Sequence, residues 1–275
     1  MIDNNPLKQY FRRPQTYIRL PSGINNYPQT VVNSDVPELA VYPMTSNDDI
    51  TLKTPDALYT GSAVVDLIKS CIPAIVNPWK IKTTDLNTIL IAIRSATHGS
   101  TMETESKCPK CGEVNNYDVD LDNMLSNLKP VNFDTNLKIG ELKVKMRPLT
   151  YEESNRGSMA HFEAERGLYE LNNATDEETK SKITTELMKR INATTSEMIS
   201  DSVESITTPE GITVVDKTFI KDYLKNIDKK THGLIVDKFQ AMKSAMVVDP
   251  IHLKCTDCEH EYDQEFVINM TDFFD

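Results

Sequence analysis

The chain carries two Cys-x-x-Cys pairs, Cys108–Cys111 and Cys255–Cys258, set 144 residues apart. A tetrahedral metal site takes four ligands and either pair supplies two, so closing such a site requires the fold to bring both stretches together. In "ETESKCPKCGEVNNYDVDLDNM" the cysteines flank Pro-Lys and Gly112 follows. This is a knuckle: a tight turn aims two thiolates at one ion, and glycine permits the positive φ that the turn requires. The stretch "IHLKCTDCEHEYDQEFVINM" repeats the grammar. Each pair is entered through Lys-Cys (Lys107, Lys254) and followed by Tyr-Asp (Tyr117-Asp118, Tyr262-Asp263). An alternating strand ending in Asn-Met (Asn123-Met124, Asn269-Met270) is expected after each.

Two such hairpins joined through one ion make a zinc ribbon. Zn2+ suits soft sulfur ligands, and a four-thiolate set leaves no open position for substrate water, so Cys108, Cys111, Cys255 and Cys258 read as a structural site. Its closure would supply on the order of 10 kcal/mol of folding free energy. A single Cys-x-x-Cys suits a redox motif or chance equally well; a second copy with matching flanks argues against both. A disulfide is disfavoured because the chain reads as cytosolic and Cys-x-x-Cys closes a very small loop. An iron–sulfur cluster uses the same ligand set and stays open as an alternative. The fifth cysteine, Cys71, lies in an apolar helical stretch and reads as a small buried residue.

The expected fold is α+β and mostly helical, built from two related halves that meet at the metal. Residues 1–33, with prolines at 6, 14, 21 and 28, read as an extended N-terminal arm with a short strand at "TYIRL". Residues 34–100 form the first strand–helix half. "ELAVYPMTSNDDI" gives a strand and a helix start at Thr45; Thr54-Pro55-Asp56 opens a helix running to about Cys71. A further helix opens at Thr84, buries Leu86, Ile89, Leu90 and Ile93, and stops at Gly99. Residues 101–149 and 250–275 form the ribbon with flanking strands, and residues 150–249 the second, enlarged half. There "ELKVKMRPLTYEE" repeats the first half, with Pro148-Leu149-Thr150 set against Pro43-Met44-Thr45. From cap to knuckle is 63 residues in the first half and 105 in the second, the surplus falling partly in a charged helical stretch over 165–206. Ile183, Leu187 and Ile191 give that stretch a narrow apolar stripe. Residues 234–247, with Met242 and Met246, form another amphipathic segment, suited to packing on its own domain or to binding a partner helix.

The formal net charge of −11 argues against a general nucleic-acid binder, which needs clustered Lys and Arg. The arm is the exception: Lys8, Arg12, Arg13 and Arg19 against Asp3 leave it at +3, suited to docking on an acidic subunit, another copy included. No apolar run is long enough to span a bilayer, and the N-terminus has no apolar signal core, so the chain reads as cytosolic. Glycine-rich phosphate loops, GxSxG and HExxH are all absent, and the five histidines at 98, 161, 232, 252 and 260 are scattered. Acidic pairs such as Asp48-Asp49 and Glu152-Glu153 sit where helix starts favour negative charge. Nothing in the sequence calls for an enzyme.

Taken in order, "IRLPSGINNYP", "ELAVYPMTSNDDI", "TGSAVVDLIKSCIPAI", "TTDLNTILIAIRSATHGSTME" and "CPKCGEVNNYDVDL" resemble the baseplate hub and hub-assembly proteins of T-even-type myophages. The resemblance covers about residues 17–153 and extends loosely through the second cysteine pair. It implies a non-enzymatic role in building a contractile-tail baseplate, with other tail and hub proteins as partners. It implies assembly in the host cytoplasm, ending either in the virion or in a transient chaperone role, for example toward the tape-measure protein. Carried over residue by residue, it supports only Cys108, Cys111, Cys255 and Cys258 as a functional set.

Overall fold

A computed structural model describes residues 6–127, 135–173, 176–244, 250–266, 268–269 and 273–274. The chain is α+β and divides into two units, one made of Met1–Pro78, Thr84–Pro130 and Val248–Asp275, the other of Trp79–Thr83 and Val131–Val247. Among the described residues no helix is long and apolar enough to cross a membrane.

The first unit opens with a 3-10 turn at Pro6–Tyr10 and strand β1 (Thr16–Arg19), antiparallel to β2 (Glu38–Val41). Ile18, Leu20, Val31 and Val32 are buried, so residues 16–33, expected within an extended arm, contribute a strand and core side chains. The prolines prevent helix but leave the alternating "TYIRL" free to pair. Just ahead of it the Arg12 guanidinium donates to Ser70 O at 2.7 Å and Ser70 Oγ at 2.8 Å, and lies 3.5 Å from Asp48. Thr45 then caps α1 (Ser46–Leu52) in a full capping box: its hydroxyl accepts from Asp48 N, and the Asp48 carboxylate accepts from Thr45 N at 2.7 Å.

The single helix expected from Thr54 to Cys71 is two helices, α2 (Pro55–Thr60) and α3 (Ser62–Cys71). Gly61 separates them at φ 78°, a left-handed conformation that ends a helix at little cost for glycine. Thr54 precedes Pro55 as expected, but its hydroxyl donates back to Ile50 O, leaving no side-chain cap. Next comes α4 (Thr83–His98), in which every residue from Thr88 to Arg94 is buried. It is a central helix, surrounded on all sides, and not the one-faced helix of the expected stripe. The Asp85 side chain, fully buried, accepts from Ser22 N at 2.8 Å and from the Ser22 and Tyr27 hydroxyls, fixing that turn onto α4. Strands β3 (Thr101–Lys107) and β4 (Val114–Asp120) form an antiparallel hairpin, followed directly by α5 (Leu121–Asn127). The strand expected to reach Asn123-Met124 therefore stops at Asp120, whose carboxylate accepts from Asn123 N at 3.0 Å and starts the helix.

In the second unit, β5 (Asn136–Ile139), β6 (Leu142–Met146), β7 (Val203–Thr207) and β8 (Thr213–Val214) form one antiparallel sheet in that order. Two long helices, α6 (Tyr151–Asn173) and α7 (Glu177–Ser202), connect β6 to β7. The charged helical stretch thus ends at Ser202, and residues 203–206 are strand. Within α7, Leu187 is buried and Ile183 and Ile191 half-buried, the stripe expected from their spacing. The helix pair packs closely: a Cβ added to Gly157 would lie 2.6 Å from Met198 Sδ, and one added to Gly167 would lie 2.5 Å from Leu187 Cδ2. At the start of α6, Thr150 and Glu153 exchange the same two hydrogen bonds as Thr45 and Asp48, at 2.9 and 3.3 Å. Residues Trp79–Thr83 join this unit through the Trp79–Tyr151 stack and Tyr151 N donating to Ile81 O at 2.7 Å.

Helices α8 (Lys217–Asn226) and α9 (Lys229–Ser244) complete the unit. Its core gathers Met146, Val203, Ile220, Ile235, Phe239 and Met242. Met242 therefore packs within its own unit, while Met246 lies outside the described residues. Lys217 Nζ donates to Ser200 O at 3.2 Å and Asp201 O at 3.1 Å, satisfying carbonyls at the end of α7. The chain then returns to the first unit as β9 (Ile251–Lys254) and β10 (Glu261–Gln264), a second hairpin. The strand expected to run on to Asn269-Met270 stops at Gln264; Met270 lies outside the described residues.

Candidate metal centre

Each cysteine pair occupies the loop that closes one of the two hairpins. Lys107 pairs with Val114 and Lys254 with Glu261, so residues 108–113 and 255–260 form loops of equal length. Their backbones match bond for bond. Cys108 N donates to Glu113 O at 2.8 Å and Gly112 N to Cys108 O at 2.9 Å; Cys255 N donates to His260 O at 2.9 Å and Glu259 N to Cys255 O at 3.1 Å. Gly112 takes φ 80°, as the knuckle reading requires. Its counterpart in the second loop is Glu259, at φ 56°, the one non-glycine with positive φ among the described residues.

The two loops meet. Cys108 Sγ lies 3.7 Å from Cys258 Sγ, and Cys111 Sγ 3.6 Å from Cys255 Sγ, well beyond a disulfide bond. All four sulfurs fall within 4.8 Å of one another, a grouping able to hold a metal ion. Cys108 and Cys255 are buried, Cys258 is partly buried and Cys111 is exposed. Cys71 is buried too and stands apart from this cluster, as its sequence context predicts.

Contacts the spacing could not give hold the loops in place. Asn115 Nδ2 donates to Cys255 Sγ at 3.6 Å, while Asn115 Oδ1 accepts from Thr256 N at 3.3 Å and from the Thr256 hydroxyl. A single buried amide on β4 thus ties the first hairpin to the second knuckle. The hydroxyls of Tyr117 and Tyr262 lie 3.4 Å apart, Tyr262 donates to Ser106 Oγ at 2.9 Å, and Ser106 donates to Gln264 at 2.9 Å. The repeated Tyr-Asp pair was the sequence signal for this contact; Asn115 and Ser106 left none. His252 lies against Asp263 at 2.9 Å and His260 stacks on Tyr262, so neither joins the sulfur cluster.

The electrostatics favour a bound cation. Burial pushes the Cys108 thiol up, but backbone N–H groups of Cys111 and Lys110 and the neighbouring thiols outweigh it and bring its pKa to about 7. The Cys258 N–H, against the cost of burial and with the Asp257 N–H, likewise lowers Cys255. Cys111 goes the other way: the Glu113 N–H lowers it, but burial and the other three thiols together push it to about 12. Backbone dipoles thus favour negative charge at Cys108 and Cys255 while the neighbouring thiols oppose it at Cys111, an arrangement that a bound cation would neutralise.

No curated protein and no solved structure matches this chain. The family described as T4 bacteriophage base plate protein matches residues 18–275, a span that includes both cysteine hairpins, the whole second unit and the first unit from residue 18 onward. The chain belongs to the T4 bacteriophage base plate protein family.

Proposed function

We propose that this protein is a non-enzymatic structural or assembly component of the baseplate hub of a contractile phage tail, and that Cys108, Cys111, Cys255 and Cys258 hold a structural Zn2+ in a zinc ribbon. The observation that carries the metal reading is the sulfur geometry. A tetrahedral ion with Zn–S bonds of about 2.3 Å separates its ligands by about 3.8 Å. The 3.7 and 3.6 Å contacts match that edge. Four thiolates fill the coordination sphere, so the ion supplies no open position for a reaction and acts as a clamp between residues 108–111 and 255–258. The paired capping boxes at Thr45 and Thr150 and the matched loops support two related halves, strand then capped helices then knuckle. Partners on this reading are other baseplate and tail proteins, and the site of action is the tail as it is assembled.

Metal content of the purified chain is the test of the clamp: about one zinc per chain is expected, and a Cys255→Ser chain as folded and soluble as wild type would refute it. Iron would announce itself by visible absorption in the purified protein. A second reading, a transient tail-assembly chaperone toward a tape-measure protein, draws on the exposed Met188 of α7, an apolar side chain of the kind a helical client buries. Mass spectrometry of purified particles separates the two: stoichiometric recovery supports a hub component, and absence supports the chaperone.

A further inference from the structure

We propose that copies of this chain associate head to tail, the basic, aromatic segment at residues 6–17 of one copy docking on the acidic outer face of the β3–β4 hairpin of the next. The inference deepens the assembly reading by making the chain one of its own partners.

The donor segment is anchored and outward-facing. Arg12 turns inward onto Ser70 and Asp48, and the residues around it turn out: Tyr10 is 77% exposed, Phe11 57% and Tyr17 62%. Arg13 is exposed and makes no hydrogen bond or ion pair with any described residue. Residues 6–17 contain no acid. Exposed aromatic rings beside an arginine are enriched in interface cores, and the hydrogen-bonded, half-buried Arg12 anchor lowers the ordering cost of docking. The segment precedes the stretch the family matches, which begins at residue 18.

The acceptor is a sheet face with a charge problem. On the solvent side of the hairpin, Glu103 stands directly opposite Asp118, with Glu105 and Asp120 on the same exposed face. Like charges in a cross-strand pair destabilise a sheet, and neither Glu103, Glu105 nor Asp118 has a cationic partner among the described residues. A cationic occupant would relieve that repulsion. Donor and acceptor have opposite charge and belong to the same unit, yet Arg13 makes no bond to the hairpin of its own chain, which leaves the pairing to a second copy. Because the two surfaces differ, the contact is heterologous, and contacts of that kind close into rings when the rotation permits.

Sedimentation velocity of the full chain over a concentration series decides the matter. Association is expected at about 50 mM salt and should fade at about 500 mM, where screening shortens the reach of the charges. Lys8→Glu with Arg13→Glu should weaken it at least about tenfold, as should Glu103→Lys with Asp118→Lys, each with an unchanged circular dichroism spectrum. An equimolar mixture of the two charge-reversed chains should associate again, since each then meets its complement. A chain that stays monomeric throughout, association that survives either reversal, or a mixture that fails to recover it overturns the proposal. So does a hairpin face that captures a basic foreign protein while the chain itself remains monomeric. Recovery of the chain in particles is unaffected by any of these results and tests the assembly reading separately.

Discussion

Glu259 occupies a backbone position that its counterpart Gly112 fills without strain. At φ 56° a residue with a Cβ pays about 1–2 kcal/mol for the left-handed conformation. Replacing it with glycine removes that strain but frees the unfolded chain by about 0.5–1 kcal/mol. The Lys254–Glu259 ion pair is also lost, but at 3.8 Å between two exposed side chains it is worth about 0.5 kcal/mol or less. Glu259→Gly should therefore stabilise the second knuckle by about 0.5 kcal/mol, read as metal held about twofold more tightly in competition with a chelator. The reciprocal change has the opposite sign. An added Cβ at Gly112 meets only Lys107 Cε at 3.8 Å, so Gly112→Ala suffers no clash and its cost is conformational. That cost, about 1 kcal/mol, weakens metal retention about fivefold. If Glu259→Gly loosens the metal while Gly112→Ala leaves it untouched, the two loops are not equivalent and the matched-knuckle account is wrong.

Three further substitutions test the second unit. Burial raises the Glu153 carboxyl, but Arg147, bonded at 2.7 and 2.9 Å, and the Thr150 N–H pull it below the ordinary carboxylate value. A depressed folded-state pKa gives stability that is fully present above the unfolded value of about 4.3 and lost as pH falls through the folded one. Acid titration followed by tryptophan fluorescence, with Trp79 stacked on Tyr151, should show Glu153→Gln destabilised by about 1.5–3 kcal/mol at pH 7, with the gap to wild type closing below about pH 4. On the α6–α7 pair, Gly167→Val drives a branched side chain against Leu187 and should cost about 1–3 kcal/mol in chemical denaturation, whereas Gly233→Ala, with open space around it, should cost nothing by clash.

What the sequence disclosed follows from how local each signal is. Knuckles are local in grammar, and two copies of one grammar point to each other, so the convergence of Cys108, Cys111, Cys255 and Cys258 could be expected across 144 residues. The caps at Thr45 and Thr150 were legible for the same reason, each being settled within four residues. The errors lie where a local signal competes with another or with tertiary burial. Gly61 breaks a run whose periodicity continues through it, Asp120 starts a helix inside an alternating pattern, and α4 reads as one-faced although it is buried all round. Burial of Ile18, Leu20, Val31 and Val32 within residues 16–33 depends on contacts with later elements such as β2 and α4, which composition at the N-terminus cannot reveal. Asn115 ties the first hairpin to the second knuckle through contacts 140 and 141 residues away, and nothing near it in sequence marks it out.

The chain's path also orders its folding. It leaves the first unit after Pro130 and returns at Val248, so the second unit, apart from Trp79–Thr83, lies between the two halves of the clamp. Closing a flexible loop of that length carries an entropic cost growing as the logarithm of its size. Within the second unit, α9 packs against β5, so folding it brings the ends of the insert together. If only about 30 flexible residues then remain between the knuckles, closure becomes easier by about 1.4 kcal/mol, a factor of about ten in the probability that the thiols meet. The clamp should therefore close after the second unit folds. Met146→Ala, at a fully buried core position of that unit and outside the cysteine loops, should cost about 2–5 kcal/mol there. It should also slow cobalt uptake by chain diluted from denaturant, with the final thiolate-to-cobalt absorption unchanged once folding is complete. Uptake at the wild-type rate would mean that the two knuckles find each other first and that the second unit folds inside a loop already closed.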